Sequence, residues 1–311
     1  MRPLLLLLAL IAAPALSAQS HLLIVSGLSG EPKYAEEFHR WGTAMVDAAR
    51  TRYGLAPEQV VYLAERPERD PARIRGASTR ENVERALADI AGRARPSDGI
   101  MILLIGHGSS DDAGARLNLP GPDLTATDLA RMVRRFPTQR VVVANTASAS
   151  GDFAEALAGS NRVVITATRS GMERNETTFG RFFVDAFAGA GADIDKDGRA
   201  SVLEAFEYAQ REVERHYKSS GFLQTEHAQL AGDREAVRGF FLSAGMAALP
   251  AATTPEMRAL LEERQRLQNQ VEALKGRKDQ MEPARYLDEL EQALIQLALK
   301  TREIRQRGGA Q

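Results

Sequence analysis

The chain contains no cysteine. This absence excludes disulfides, thiolate metal sites and a thiol nucleophile anywhere in its 311 residues. An excess of one charge is also lacking, since 40 Lys and Arg face 41 Asp and Glu. Nucleic acid is therefore not expected as the main partner, because phosphate binding normally needs a basic excess. With 44% hydrophobic and 26% charged residues, the composition is that of a folded globular protein.

Long apolar runs are also scarce, and the one at the N-terminus is short. Residues 1–18 read MRPLLLLLALIAAPALSA, with one arginine, an apolar run over Leu4–Ala13 and then small residues. This order predicts a secretory signal peptide cleaved after Ser17 or Ala18, because the run is too short to span a bilayer. No cysteine follows, which excludes a lipoprotein anchor. We expect an exported chain, periplasmic or secreted; the alternative is an uncleaved N-terminal anchor.

Short apolar runs and helical periodicity alternate over residues 19–246. The runs are rich in Val, Ile and Leu and nearly continuous, as in strands buried on both faces. They lie at His21–Ser26, Gln59–Leu63, Gly99–Ile105, Arg140–Ala144 and Arg162–Thr166. Helical spacing lies between them at Tyr34–Tyr53, Thr79–Ala94 and Thr125–Phe136, and later at Phe179–Ala188 and Ser201–Tyr217. The pattern predicts an α/β domain with a mostly parallel sheet flanked by helices.

The C-terminal part of the chain has a different composition. Residues 247–255 form a predicted linker, and residues 256–307 are highly charged with apolar positions three and four apart. Glu282 and Pro283 interrupt this spacing, which predicts a coiled-coil-like helical hairpin. Its apolar seams are narrow, so they must pack on each other, on the α/β domain or on another chain. Self-association or capture of a partner protein is the favoured interpretation, and a solvated tail that covers a sheet edge is the alternative.

Two strand ends carry groups suited to catalysis. The strand Gly99–Ile105 is followed by Gly106, His107 and Gly108, and the next strand leads into a segment that contains Ser148. Because functional groups in parallel sheets gather at the carboxyl ends of strands, we expect a base beside a nucleophile there. A structural histidine at a strand end is the alternative interpretation.

Together these segments resemble the legumain-like C13 peptidases, which have the caspase-like fold. The resemblance rests on the first strand with SGLSG, on His107-Gly108, on ASASG over residues 147–151, and on VVITAT over 163–168. It covers about residues 22–233. It implies that His107 is the catalytic histidine and that the Gly108 N–H serves the oxyanion.

The sequence departs from this family at the nucleophile. The position of the catalytic cysteine is taken by Ser148. The resemblance also places Ser29 where legumains have an asparagine after the first strand, and Ala35 where they have a substrate-binding arginine. Glu176 resembles a further pocket residue, so Ser29 and Glu176 are the candidate substrate-binding residues. Asparaginyl specificity is not implied.

A serine hydroxyl is a poor nucleophile unless an oriented base lies within hydrogen-bond reach. The favoured hypothesis is therefore a pseudopeptidase that binds a peptide or protein in its cleft. One alternative is an active serine-variant peptidase that uses Ser148 and His107. A second is a scaffold whose working part is the C-terminal hairpin.

Residues 193–204 match the calcium-loop pattern D-x-D-x-D-G-x5-E. The expected ligands to Ca²⁺ come from Asp193, Asp195, Asp197, Arg199, Ser201 and Glu204, with Arg199 contributing its backbone carbonyl. The loop is single, so we expect a weak, structural site. An acidic turn in which the serine caps the following helix is the alternative.

Overall fold

The computed structural model describes residues 18–112, 114–194, 199–243, 254–275, 277–278 and 281–308. Residues 1–17 of the predicted signal peptide and most of the predicted linker lie outside these ranges. In chain order the strands are β1 Ser20–Ser26, β2 Val60–Ala64, β3 Gly76–Ala77, β4 Gly99–Ile105, β5 Gly108–Asp111, β6 Gly114–Leu117, β7 Leu124–Thr125, β8 Arg140–Asn145, β9 Arg162–Thr166 and β10 Gln229–Ala231. The helices are α1 Pro32–Asp47, α2 Arg80–Arg93, α3 Ala126–Val133, α4 Phe153–Ala156, α5 Phe179–Ala188, α6 Val202–Ser220, α7 Arg234–Arg238, α8 Pro255–Lys275 and α9 Pro283–Gly308.

Seven strands form one sheet in the order β10-β9-β8-β4-β1-β2-β3. All neighbours are parallel except β10, which runs antiparallel to β9. The predicted α/β class is confirmed, and the arrangement fits a caspase-like fold.

Side chains of the central strands alternate between two hydrophobic layers. Leu22 and Ile24 of β1 pack into the layer that holds α1, α5 and α6. Leu23 and Val25 pack into the opposite layer, with α2 and α3. Because both faces of the sheet are covered, every residue of β1 and β4 is buried. This explains why these strands have continuous apolar sequences.

The chain reverses its direction of travel across the sheet between β1 and β4. It goes outward from β1 to β2 and β3, then returns to β4 on the other side and continues through β8 and β9. At such a switch point the loops after adjacent strands separate and leave a crevice, which is where open α/β sheets bind ligands. The loops after β1, β4 and β8 meet at this edge.

Two predicted helix starts are confirmed in atomic detail. The Thr79 hydroxyl accepts the Asn82 N–H at 3.3 Å, and the Thr125 hydroxyl accepts the Asp128 N–H at 3.0 Å. The first predicted helix is shorter than expected. Its α-helical part ends at Asp47, and a π-helical turn follows over Ala48–Arg52.

A small antiparallel sheet, β5-β6-β7, follows the main strand β4. Its polar, short strands carry too few apolar residues to be recognised in the sequence. The loop after His107 is therefore a pleated hairpin, which carries Gly108 at its base.

Helices α8 and α9 pack against each other through Leu267, Val271 and Leu274 on one side and Ala293 and Leu297 on the other. The prediction of paired C-terminal helices is confirmed. The hairpin meets the α/β domain where the Gln268 amide faces the Arg199 guanidinium. No helix in the described part of the chain is both long and apolar enough to cross a membrane.

Candidate active site

His107 and Ser148 lie at the ends of adjacent strands. The register of β4 and β8 pairs Leu104 with Asn145, and each candidate residue lies three positions further along. The sequence-based expectation that the two would lie at one edge of the sheet matches this placement. Gly108 connects the two, because it follows His107 in the chain and its backbone contacts the Ser148 side chain directly.

The Ser148 hydroxyl makes two hydrogen bonds to the backbone of Gly108. It accepts the Gly108 N–H at 3.2 Å and donates to the Gly108 carbonyl at 3.2 Å. Ser148 is only 4% exposed. Among the hydrogen bonds of the described residues, none joins this hydroxyl to the His107 imidazole. The N–H that the resemblance assigns to the oxyanion is therefore occupied by the candidate nucleophile itself.

Glycine is required at position 108 by a close approach of two chain segments. A Cβ at Gly108 would lie 2.4 Å from the Ser148 carbonyl oxygen and 3.0 Å from the Arg116 carbonyl oxygen. Real side-chain atoms do not approach this closely, so a larger residue would separate the loops after β4 and β8.

The segment after Ser148 is strained and held at several points. Ala149 has φ of 50°, a left-handed conformation that is unfavourable for a residue with a side chain. Its N–H donates to the Glu173 carbonyl at 2.8 Å. The Gly151 N–H donates to the Thr168 hydroxyl at 3.0 Å. Backbone strain of this kind persists only where surrounding contacts hold it, and such positions cluster at functional sites.

The His107 ring lies against aromatic side chains of α1. Its centroid is 4.5 Å from that of Tyr34 and 5.2 Å from that of Phe38, with both rings edge-on. Burial lowers the pKa of His107, while a hydrogen bond to the Ser29 backbone and nearby carboxylates oppose this effect. A lowered pKa favours the neutral imidazole, which is the form that acts as a base.

Ser29 adjoins His107 through its backbone, and its side chain points to another residue. Its hydroxyl donates to Glu65 Oε2 at 2.7 Å, and its N–H donates to the same oxygen at 3.1 Å. Glu65 directly follows β2, so it supplies a carboxylate at the correct edge of the sheet. The sequence signal for this carboxylate is its position directly after an apolar strand, although it lies 42 positions before His107 in the chain.

Glu176 lies next to the aromatic cover of His107. Its carboxylate accepts a short hydrogen bond from the Tyr34 hydroxyl, which is the main reason why the pKa of Tyr34 is raised. The Lys33 ammonium lies 3.7 Å from the same oxygen. Ala35 instead lines a cavity of about 410 Å³ that also contains Ser29 and Glu65. Both predicted substrate-binding residues thus lie near His107, Ser29 through its backbone and Glu176 through its contact with Tyr34.

Part of the calcium-loop pattern lies in the described residues. Ser201 and Glu204 form a capping box at the start of α6, and the Ile194 N–H donates to Glu204 Oε1 at 3.1 Å. The two ends of the pattern therefore meet. Asp195 and Asp197, two of the expected carboxylate ligands, lie outside the described residues.

Comparison with known proteins identifies one family. Residues 85–234 match the model of the Peptidase C13 family. The match spans β4, β8 and the loops that hold His107 and Ser148, and over this range it confirms the resemblance inferred from the sequence. The first strand and Ser29, which the resemblance also includes, lie outside the matched range. No curated protein matches the chain.

Proposed function

Because residues 85–234 match the model of the Peptidase C13 family, we propose that this protein is a C13 peptidase homologue with impaired hydrolytic activity that binds peptide segments in its cleft. The observation that carries the proposal is the pair of hydrogen bonds between the Ser148 hydroxyl and the Gly108 backbone. A serine nucleophile must be deprotonated by a base, and the O–H of Ser148 donates its hydrogen bond to the Gly108 carbonyl instead of to a base.

The same contact weakens stabilisation of a transition state. An oxyanion needs donors that are free to receive developing charge, and the Gly108 N–H already has an acceptor. Loss of one such donor typically slows catalysis about 10²–10³-fold. In this chain without cysteine, the candidate nucleophile Ser148 and the candidate oxyanion donor Gly108 hydrogen-bond to each other, so neither is free to act on a substrate.

The cleft retains features suited to binding. Tyr34 packs against His107 and is partly exposed, so it offers aromatic surface next to the Glu176 carboxylate, while Phe38 supports the ring from the buried side. The β5-β6 hairpin adds exposed polar groups beside Gly108. A peptide with an apolar or basic side chain at the position facing His107 fits this combination.

The test compares turnover and binding of a fluorogenic peptide library by the wild type, Ser148→Ala and Ser148→Cys. We expect no turnover that depends on Ser148, turnover by Ser148→Cys, and loss of that turnover when His107→Ala is added. Peptides bound by the wild type should bind less tightly to Tyr34→Ala, with Phe222→Ala, an exposed aromatic position elsewhere, as the control.

The alternative of an active serine-variant peptidase is supported by the placement of His107 at the strand end next to the one that leads to Ser148, where burial lowers the pKa of the imidazole. It predicts hydrolysis by the wild type that Ser148→Ala abolishes. The alternative of a hairpin-based scaffold predicts that deletion of residues 254–311 removes partner binding while peptide binding in the cleft persists.

Export and calcium binding are further parts of the proposal. The apolar run Leu4–Ala13 supports a cleaved leader, and cleavage after Ala18 would leave β1 intact. Detection of the mature N-terminus in a periplasmic or secreted fraction tests this. The meeting of Ile194 with Glu204 supports a closed loop over residues 193–204 that binds Ca²⁺ weakly.

A further inference from the structure

Helix α9 has a second apolar surface in addition to the one that packs on α8. Leu287, Ile295 and Leu299 are 62%, 49% and 56% exposed. At about 100° per residue they fall within an arc of roughly 120°. Ala293 and Leu297 lie on the other side of the helix, buried against α8. An exposed row of large aliphatic side chains along a helix indicates an interaction surface.

Two charged residues share this surface. Glu291 is one turn before Ile295, and Arg302 is close to one turn after Leu299. Neither forms an ion pair within the described residues. By contrast, their neighbours Glu289 and Glu303 are paired along the helix, with Arg285 at 2.7 Å and with Lys300 at 2.9 Å.

The charge of α9 also changes sign along its length. Residues 283–295 contain three acidic residues and one basic residue, whereas residues 296–308 contain four basic residues and one acidic residue. A parallel copy of the helix would place like charges together. An antiparallel copy places the acidic half of each helix against the basic half of the other.

We propose that two copies of this chain associate through α9, antiparallel about a two-fold axis. With the axis near residue 297, Ile295 of each copy faces Leu299 of the other. Glu291 then lies within one residue of the position opposite Arg302 of the second copy, on both sides of the axis. An isologous contact of this kind is self-complementary, as closed dimers require.

The chain beginning at Gln19 should sediment as a dimer at micromolar concentration, measured by analytical ultracentrifugation. Ile295→Gln with Leu299→Gln should weaken the dimer by at least about tenfold in Kd, because it removes the central apolar contact while glutamine preserves helix propensity. Leu223→Gln, at a position 89% exposed outside α9, is the matched control and should leave the dimer unchanged.

Exchanging the two charges distinguishes this specific antiparallel pairing from non-specific hydrophobic association. Glu291→Arg alone and Arg302→Glu alone should each weaken association, because each brings like charges together. The double variant should restore it. Circular dichroism checks that every variant keeps its helices. A monomeric wild type, a dimer unaffected by the paired glutamines, or a double variant as weak as the single ones would overturn the proposal; a monomer that binds a different protein through this surface would also overturn it.

Discussion

The Ser148 hydroxyl both accepts the N–H and donates to the carbonyl of one residue, Gly108, at 3.2 Å in each case. A sulfur in its place would make a longer and weaker version of both contacts. The exchange of cysteine for serine therefore changes the local connection of two strand ends as well as the reactivity of one side chain.

Ser148→Ala should lower the free energy of unfolding by about 1–3 kcal/mol, because it leaves a buried N–H and carbonyl without their partner. Urea denaturation measures this. Ser160→Ala, at an exposed loop position, is the control and should change stability by less than about 0.5 kcal/mol. Equal stability of Ser148→Ala and the wild type would argue against the Gly108 contact.

Gly108→Ala should destabilise the fold by about 1–3 kcal/mol, since its Cβ would meet two carbonyl oxygens at 2.4 and 3.0 Å. The matched exchange is Gly92→Ala in α2, where a Cβ meets nothing within 4 Å. Because alanine is the better helix former, this variant should gain about 0.5–1 kcal/mol. The midpoint temperature of thermal unfolding should therefore fall for Gly108→Ala and rise for Gly92→Ala.

Glu65 is a positioning residue for His107, acting through Ser29. Glu65→Ala should remove the acceptor of the Ser29 N–H and hydroxyl and release the backbone that contacts the imidazole. Because that contact raises the pKa of His107, the variant should lower it further. NMR titration of the histidine measures the change, and Glu65→Gln, which keeps one acceptor oxygen, should show a smaller one. An unchanged pKa of His107 in Glu65→Ala would contradict a positioning role of Glu65 through Ser29.

The protein should lose stability as the pH falls below about 6.5. Burial lowers the pKa of His21, His39 and His107 in the folded chain below the ordinary histidine value of 6.5. The unfolded chain then binds more protons, so the stabilisation is complete above the unfolded pKa and is lost as pH falls toward the folded pKa. Urea denaturation between pH 8 and pH 5 should show this slope. His21→Gln should reduce it, and a flat profile would contradict the effect.

Calcium should bind the 193–204 loop with Kd of about 10⁻⁴–10⁻³ M. Glu204→Gln should weaken binding at least about tenfold in calorimetry, because an amide cannot give the two-oxygen contact of a carboxylate. Glutamine can still accept a hydrogen bond at this capping position, so α6 should persist. Glu212→Gln, on the same helix, is the control. The absence of any calcium-dependent heat at about 10 mM would exclude the site.

The sequence predicted the five long strands well because each is buried on both faces and so has a continuous apolar composition. It also placed His107 and Ser148 correctly at one edge, since parallel strands end together. It did not predict that the Ser148 hydroxyl bonds to Gly108, because a side-chain rotamer and a loop approach leave no periodic pattern. Glu65 was missed for a related reason: it is 42 positions from His107 in the chain, and only the strand order brings the two loops together.

The strands at both edges of the main sheet are short. One is β3, with two residues, and the other is β10, with three. An edge strand of this length exposes few unpaired backbone groups, so a strand of another molecule could form few hydrogen bonds with it. Edge-to-edge pairing of the sheets of two molecules is therefore disfavoured at both edges. Contacts between molecules are expected to involve helices and loops instead.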